Sequence, residues 1–430
     1  MKKINLFIAA LAATVGLVSC NKNQPVEPIN ELEQSTGMLF VNLTPQNSLD
    51  TKATNTTMSD AESQIRSIQV FVFPAENNAA LGLVKDNLET SKFVSGDAIS
   101  STISNVPTGN PIAITTFLGK KKIVALVNAP RQTNVTTLDN LLSRTSVLSE
   151  NYVTATNAAD GINRYGMVMA GAYGYTYTAT ASGNGINIVP GELDVTKVYD
   201  SKDAATTVTP ASIPVYRLGA RIEIGTVTVK FADTDLAGKQ LTIQDIKLKN
   251  VMSAVTFGGS NTTLTGTAAN WVMQMATTGA SAGSYPADVN GASYADKLQD
   301  TGLAIACTEG AATPVNKSYI VYPNPIVEDV TSSTWAPRRT RLVIHATLDT
   351  ENTYYVFSIA DPINIVGGQD GQNGNFTSIM GNRRYVINNI NITMKGKPND
   401  NDDTVPVTAR ISAIVEVQDW AGQTLLSYEI

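Results

Sequence analysis

The sequence predicts an all-β protein of two tandem antiparallel β-sandwiches with one short helix, and three observations carry that expectation. Short runs rich in Val, Ile, Thr and Tyr recur between turn signals, among them "IRSIQVFVF", "KKIVALVNAP", "ARIEIGTVTVKF", "LTIQDIKLKNV", "RTRLVIHATL", "TYYVFSIA" and "RRYVINNINITM". Such side chains suit a pleated, half-buried surface, and Gly, Asn and Pro close each run. A polar stretch, "DSKDAATTVTPAS", divides the series, and "IPVYRLGARIEIGTVTV" opens a fresh one. The division gives an N-terminal sandwich over 53–212 and a C-terminal one over 213–430. Only "VTTLDNLLSRTSVLSENY" has helical spacing, with Leu138, Leu141 and Leu142 in phase and threonines ahead to cap them.

The chain is expected to begin with a signal peptide over residues 1–20. Lys2 and Lys3 precede an apolar run from Ile4 to Leu17 that is too short to span a bilayer comfortably. It ends in Leu17-Val18-Ser19-Cys20, which resembles the lipobox of bacterial lipoproteins. There the thiol is acylated, with palmitate among the acids expected, before the peptidase cuts in front of it. Cys20 is therefore the expected lipidation site, and the lipoprotein processing machinery an expected partner. Residues 21–36 are polar and carry prolines, which suits a tether. Cys307 is the one cysteine left after processing, so the chain must stand on its hydrophobic core without an intramolecular disulfide.

The first strand-like run holds Met38, Leu39, Phe40, Val41 and Leu43, and the next spans Ile65–Phe73. A hairpin would join such strands through about two to five residues. Here a long segment of Thr, Asn, Ser and Asp intervenes, with Lys52 in "LDTKATNT". An extended polar link of this kind looks made to be cut. Cleavage after Lys52 would start the mature chain at Ala53 and make 21–52 a propeptide that carries the tether and the first strand. Arg66 is the alternative cut, a poorer one because it leads directly into an apolar run.

Chemistry-bearing residues are sparse. His345 is the single histidine, and alternation places it with Arg341, Val343 and Thr347 on the outer face of a strand. One histidine and one remaining cysteine make no zinc cluster, and any nucleophilic triad would rest wholly on His345. No phosphate-binding glycine motif follows a strand. Asp400, Asp402 and Asp403 lack the spacing and the glycine of a calcium loop. Neither an enzyme nor a cofactor or metal is expected. Lys and Arg number 31 against 37 Asp and Glu, a formal charge of −6 with no long basic run, which argues against nucleic acid. Trp271, Trp335 and Trp420 could stack sugars on a monomeric, glycan-binding outer-membrane lipoprotein, the alternative function. They lie far apart in the chain and share no motif.

The C-terminal segment 405–430 carries more information. Val405, Val407, Ala409, Ile411, Ala413, Val415 and Val417 alternate with a mostly polar row, over a length well beyond the usual strand of about five or six residues. An ordinary terminal strand in its own sheet would read this way, and so would a strand that leaves its domain to complete another. Each buried Val or Ile would contribute about 1.5–3 kcal/mol before ordering costs. The polar, proline-bearing linker "KGKPNDNDDTVP" favours export. On that reading, truncation before the strand leaves a folded monomer with a nearly unchanged melting temperature.

Taken in order, these segments resemble a fimbrillin, the subunit of type V pili of Gram-negative gut and oral anaerobes. The resemblance runs through the lipobox, "IRSIQVFVFP", "GKKKIVALVNAP" with its helix, "YGMVMAGAYGYTYT", "IPVYRLGARIEI", "MGNRRYVINNINIT" and "VQDW" with Trp420. It implies two transthyretin-like Greek-key sandwiches and a lipidated precursor at the cell outer membrane. It also implies a maturation protease that frees a placeholder strand, here Met38–Leu43. The vacated groove would take the C-terminal donor strand of another copy or a related pilin, building the shaft of an adhesive surface fimbrium.

Overall fold

The fold is described in a computed structural model for residues 36–45, 67–95, 111–148, 156–157, 162–163, 167–175, 186–196, 210–259, 263–273, 298–326, 337–359, 365–366, 378–399 and 411–419. It is all-β, as expected, with one α-helix among these residues.

The N-terminal half supplies β1 (Thr36–Pro45), β2 (Ser67–Pro74), β3 (Thr90–Ser95), β4 (Ile112–Phe117), β5 (Gly119–Val127), β6 (Thr145–Val147), β7 (Met169–Ala172), β8 (Leu193–Val195) and β9 (Ala211–Arg217). The sheet order is β3-β2-β5-β7-β9-β1-β4, with β8 paired to β5. Its end strands β3 and β4 curl toward each other. They enclose a core of Leu39, Val41, Leu43, Ile68, Val70, Val72, Ile114, Ile123, Ala125, Val127, Ile213 and Val215. Every residue of β2 is buried, because its other row, Phe71 and Phe73, enters a second core that runs into the C-terminal half. Gly171 is required at the β7–β9 pairing, where a Cβ would lie 1.8 Å from the Pro214 carbonyl oxygen.

The helix, α1 (Leu138–Ser143), forms where the leucine spacing placed it. The Thr137 hydroxyl caps it by accepting from the Asn140 N–H at 3.1 Å, and Leu138 and Leu141 are buried beneath it.

The C-terminal half supplies β10 (Ala220–Val229), β11 (Leu241–Lys249), β12 (Ala254–Thr256), β13 (Gln299–Asp300), β14 (Ile305–Cys307), β15 (Ala312–Val321), β16 (Arg341–Leu348), β17 (Glu351–Ser358), β18 (Ile365–Val366), β19 (Arg383–Ile392) and β20 (Ile411–Asp419). One sheet runs β15-β10-β19-β20-β18, the other β13-β11-β16-β17 with β14 on β11. Alternating rows such as Ile222 and Ile224, Leu241 and Ile243, Leu342 and Ile344, and Tyr385 and Ile387 form one continuous core. A bulge at Gln244 shifts the register of β11 against β16 and sets Asp245 opposite His345.

The boundary expected at 212/213 falls inside β9, which pairs with β7 and β1 in the first sheet. The chain passes to the second sheet at Leu218 and Gly219. The preceding polar stretch, read as a linker, leads into a strand of the first sandwich rather than out of it. Asn382 secures the passage: its N–H donates to the Gly219 carbonyl at 2.8 Å, and its Oδ1 accepts from the Arg217 N–H at 3.3 Å. A second tie is the antiparallel pairing of β6 with β12, flanked by Leu148 N–H to Ser253 O at 2.7 Å and Phe257 N–H to Arg144 O at 2.8 Å.

Candidate functional site

The sequence singled out β1, and the structure places it inside the sheet rather than on its margin. Apolar residues at alternate positions drive it there: Leu39, Val41 and Leu43 face the enclosed core, while Phe40, 3% exposed, is buried on the other side. Met38 is half-buried at the β4 end, and the Thr115 hydroxyl donates to its Sδ at 3.7 Å.

Two half-ladders hold the strand. Residues 36–41 pair antiparallel with β4, from Thr36 opposite Phe117 to Val41 opposite Ile112. Residues 41–45 pair parallel with β9, from Val41 opposite Ala211 to Pro45 opposite Val215. Val41 is the one residue in both ladders, and it is fully buried. β2, the next strand in sequence, lies at the other side of the sheet, with β5, β7 and β9 between. The segment 46–66 therefore joins two strands that are not neighbours.

The far end of β4 meets a buried charge cluster. Glu89 Oε1 accepts from the Thr116 hydroxyl at 2.6 Å and from the Phe117 N–H at 2.9 Å. Glu89 Oε2 meets Lys121 Nζ of β5 at 2.6 Å, with the two side chains 4% and 1% exposed. Sequence reasoning missed this pair, since Glu89 and Lys121 are far apart in the chain and each sits in an ordinary context.

The C-terminal strand is at home in this structure. β20 pairs antiparallel with β19 and parallel with β18. The register sets Ile411, Ala413, Val415 and Val417 opposite Ile392, Ile390, Ile387 and Tyr385, four buried residues of the core. The strand that the linker was read as exporting is thus paired within its own half, where β19 offers an apolar partner row. β20 and β1 share one feature: each lies between an antiparallel and a parallel neighbour. Cys20, Lys52, Ala53, Arg66, Trp335, Val407, Ala409 and Trp420 lie outside the described residues.

His345 is part of a polar surface cluster. Its Nδ1 lies 2.7 Å from Asp245 Oδ2, its Nε2 lies 3.0 Å from Asn352 Oδ1, and its ring stacks on Tyr354 at 4.5 Å. Burial alone would raise the Asp245 carboxyl, but bonds from His345 and the Gly302 N–H, with Lys247 nearby, hold it below its ordinary 3.8. The row expected on an open outer face is covered at one end, where Arg341 and Val343 are buried. Trp271 is 1% exposed and its indole N–H donates to the Thr265 carbonyl at 3.0 Å, so it presents no sugar platform. Cys307 is buried, which pushes its thiol up from the ordinary value, against the hydrogen bond it makes with Thr313. Among the described residues, no group of His, Cys, Asp or Glu is arranged to hold a metal.

These features define a two-sandwich β-protein whose first strand plugs its own sheet. No protein-family model and no curated protein matches the chain. Among solved structures, a fimbrilin from Porphyromonas gingivalis W83 aligns over 90% of this chain and 97% of its own, at 15% identity and a TM-score of 0.51. A cell adhesion protein, so described, from Parabacteroides distasonis ATCC 8503 aligns over 90% of this chain and 99% of its own, at 13% identity and a TM-score of 0.53. The chain has the fimbrillin fold.

Proposed function

We propose that the chain is the precursor of a cell-surface pilus subunit, polymerising by strand exchange and supporting adhesion. One observation carries the reading: β1 is buried and paired on both edges, yet its covalent link to the other described strands runs only through 46–66. A cut in that link converts it from a covalent part of the sheet into a displaceable ligand. Lys52 is the residue for the cut, and the fragment removed would take the lipidated Cys20 with it. Lipidation would first bring the precursor to the outer membrane, and a protease would then release it for assembly.

The incoming strand on this reading is β20 of a neighbouring subunit. It already lies between one parallel and one antiparallel neighbour, the same ladder combination that the vacated slot would offer. Exchange of a docked element for an equivalent one costs little net free energy, as in domain swapping. A chain that both donates and accepts a strand belongs in the shaft. Among the described residues, the buried Trp271 gives the glycan-binding alternative no support.

The test is the start of the chain in sheared surface filaments, together with Lys52→Gln. The expected mature start is Ala53, and the variant should accumulate as an uncut, folded monomer. A start at Ser67 would move the cut to Arg66. Filaments built from chains that retain residues 36–45 would refute the reading.

A further inference from the structure

β4 pairs with a single strand of its sheet among the described residues, and that strand is β1. When β1 leaves, the whole backbone ladder of β4 goes with it. What remains is the short turn to β5, the approach of β3, the packing of Ile114 in the enclosed core, and the hydrogen bonds at Thr116 and Phe117. Both of those bonds end on Glu89, which Lys121 of β5 holds in place. β5 lies deep in the sheet, paired with β2 and β7, and keeps its partners whether or not β1 is present. A charged acceptor out of water makes stronger and more directional bonds than a neutral one. As a source of net stability such a buried pair is weak, since apolar replacement of both members is often neutral.

We propose that Glu89 and Lys121 are positioning residues that clamp β4 to β5, holding it as the outer wall of the slot while the slot is empty. The inference rests on the reading that β1 is excised. Its consequence is preorganisation: an incoming strand meets a fixed edge and does not have to order β4 as it binds.

The experiment uses the full chain with a specific protease site introduced between residues 46 and 66, cut in place, and a fluorescent synthetic peptide of residues 36–45 as the probe. The chain's own first strand is chosen so that the result does not depend on which segment acts as donor. Wild-type cut protein should take up the peptide in exchange for the excised fragment. Glu89→Leu with Lys121→Met removes the clamp without leaving a buried charge, and should weaken uptake by about tenfold or more. Amide exchange over Ile112–Thr116 should match wild type before the cut and rise only after it, a difference that a merely structural role would not produce; the Phe117 amide, which loses its Glu89 acceptor in the variant, is left out of the comparison. If the double variant does not fold, Thr116→Val carries the same test, with a loss of about fivefold expected from one missing bond. Equal uptake by wild type and variants, or loss of β4 protection before the cut, would overturn the clamp alone. A cut wild-type chain that takes up no peptide would overturn the vacant slot and the clamp together.

Discussion

Val41→Asp is expected to lower the stability of the uncut chain by about 4 kcal/mol or more and, on the proposed maturation, to leave the mature subunit untouched. Val41 has no exposed surface and lies where the β4 and β9 ladders meet. The apolar side chains of the enclosed core are Leu, Ile, Val, Ala and Met, and the buried Lys121 is already paired with Glu89. A carboxylate there must either drag water inside or take up a proton. Asn42, in the opposite row and half-buried, is the control, and Asn42→Asp should change stability by no more than about 0.5 kcal/mol. Urea unfolding of full-length protein measures both. An uncut Val41→Asp protein as stable as wild type would mean that β1 does not fill the sheet. Once the link is cut and residues 36–45 are gone, the substitution has no target, so filaments assembled from processed chains should be indifferent to it.

Removing residues 411–430 is expected to destabilise the C-terminal sandwich by several kcal/mol. β20 lies between β19 and β18, and its loss removes one of the two partners of β19 and leaves β18 unpaired in its sheet. It also opens the row Tyr385, Ile387, Ile390 and Ile392, now buried, on one edge. Uncovering aliphatic residues costs about 1.5–3 kcal/mol for each fully exposed, with a lost ladder in addition. Fluorescence of Trp271, buried in this half, follows the unfolding. A synthetic peptide of residues 405–430 should restore the lost stability, since exchange requires the strand to bind without its covalent connection. An unchanged melting temperature would mean that the home position contributes nothing, as the polar linker alone had implied.

How far the sequence reached varies from element to element. The strand runs, the Thr137 cap and the helix it starts are local features, written in spacing and side-chain type, and they were legible. The alternation of the C-terminal row was legible too, but not its partner. A period-two pattern states which residues share a face without saying whose sheet they join. The position of β1 was out of reach for the same reason, because nothing in Met38–Leu43 names β4 and β9 as its neighbours. The division between the sandwiches was misplaced by a few residues, since a polar stretch marks a loop and not necessarily a domain boundary. Glu89, Lys121, Asn382 and the bulge at Gln244 act through contacts between distant segments, and each looks ordinary in its local sequence.

The most direct test of strand exchange is the identity of the chain segment lying between β4 and β9 in the assembled filament, read from a density map that resolves side chains. The account predicts residues from 405–430 of a neighbouring subunit, parallel to β9 and antiparallel to β4, with no covalent connection to the subunit they complete. Residues 36–45 of the same chain in that position would contradict it.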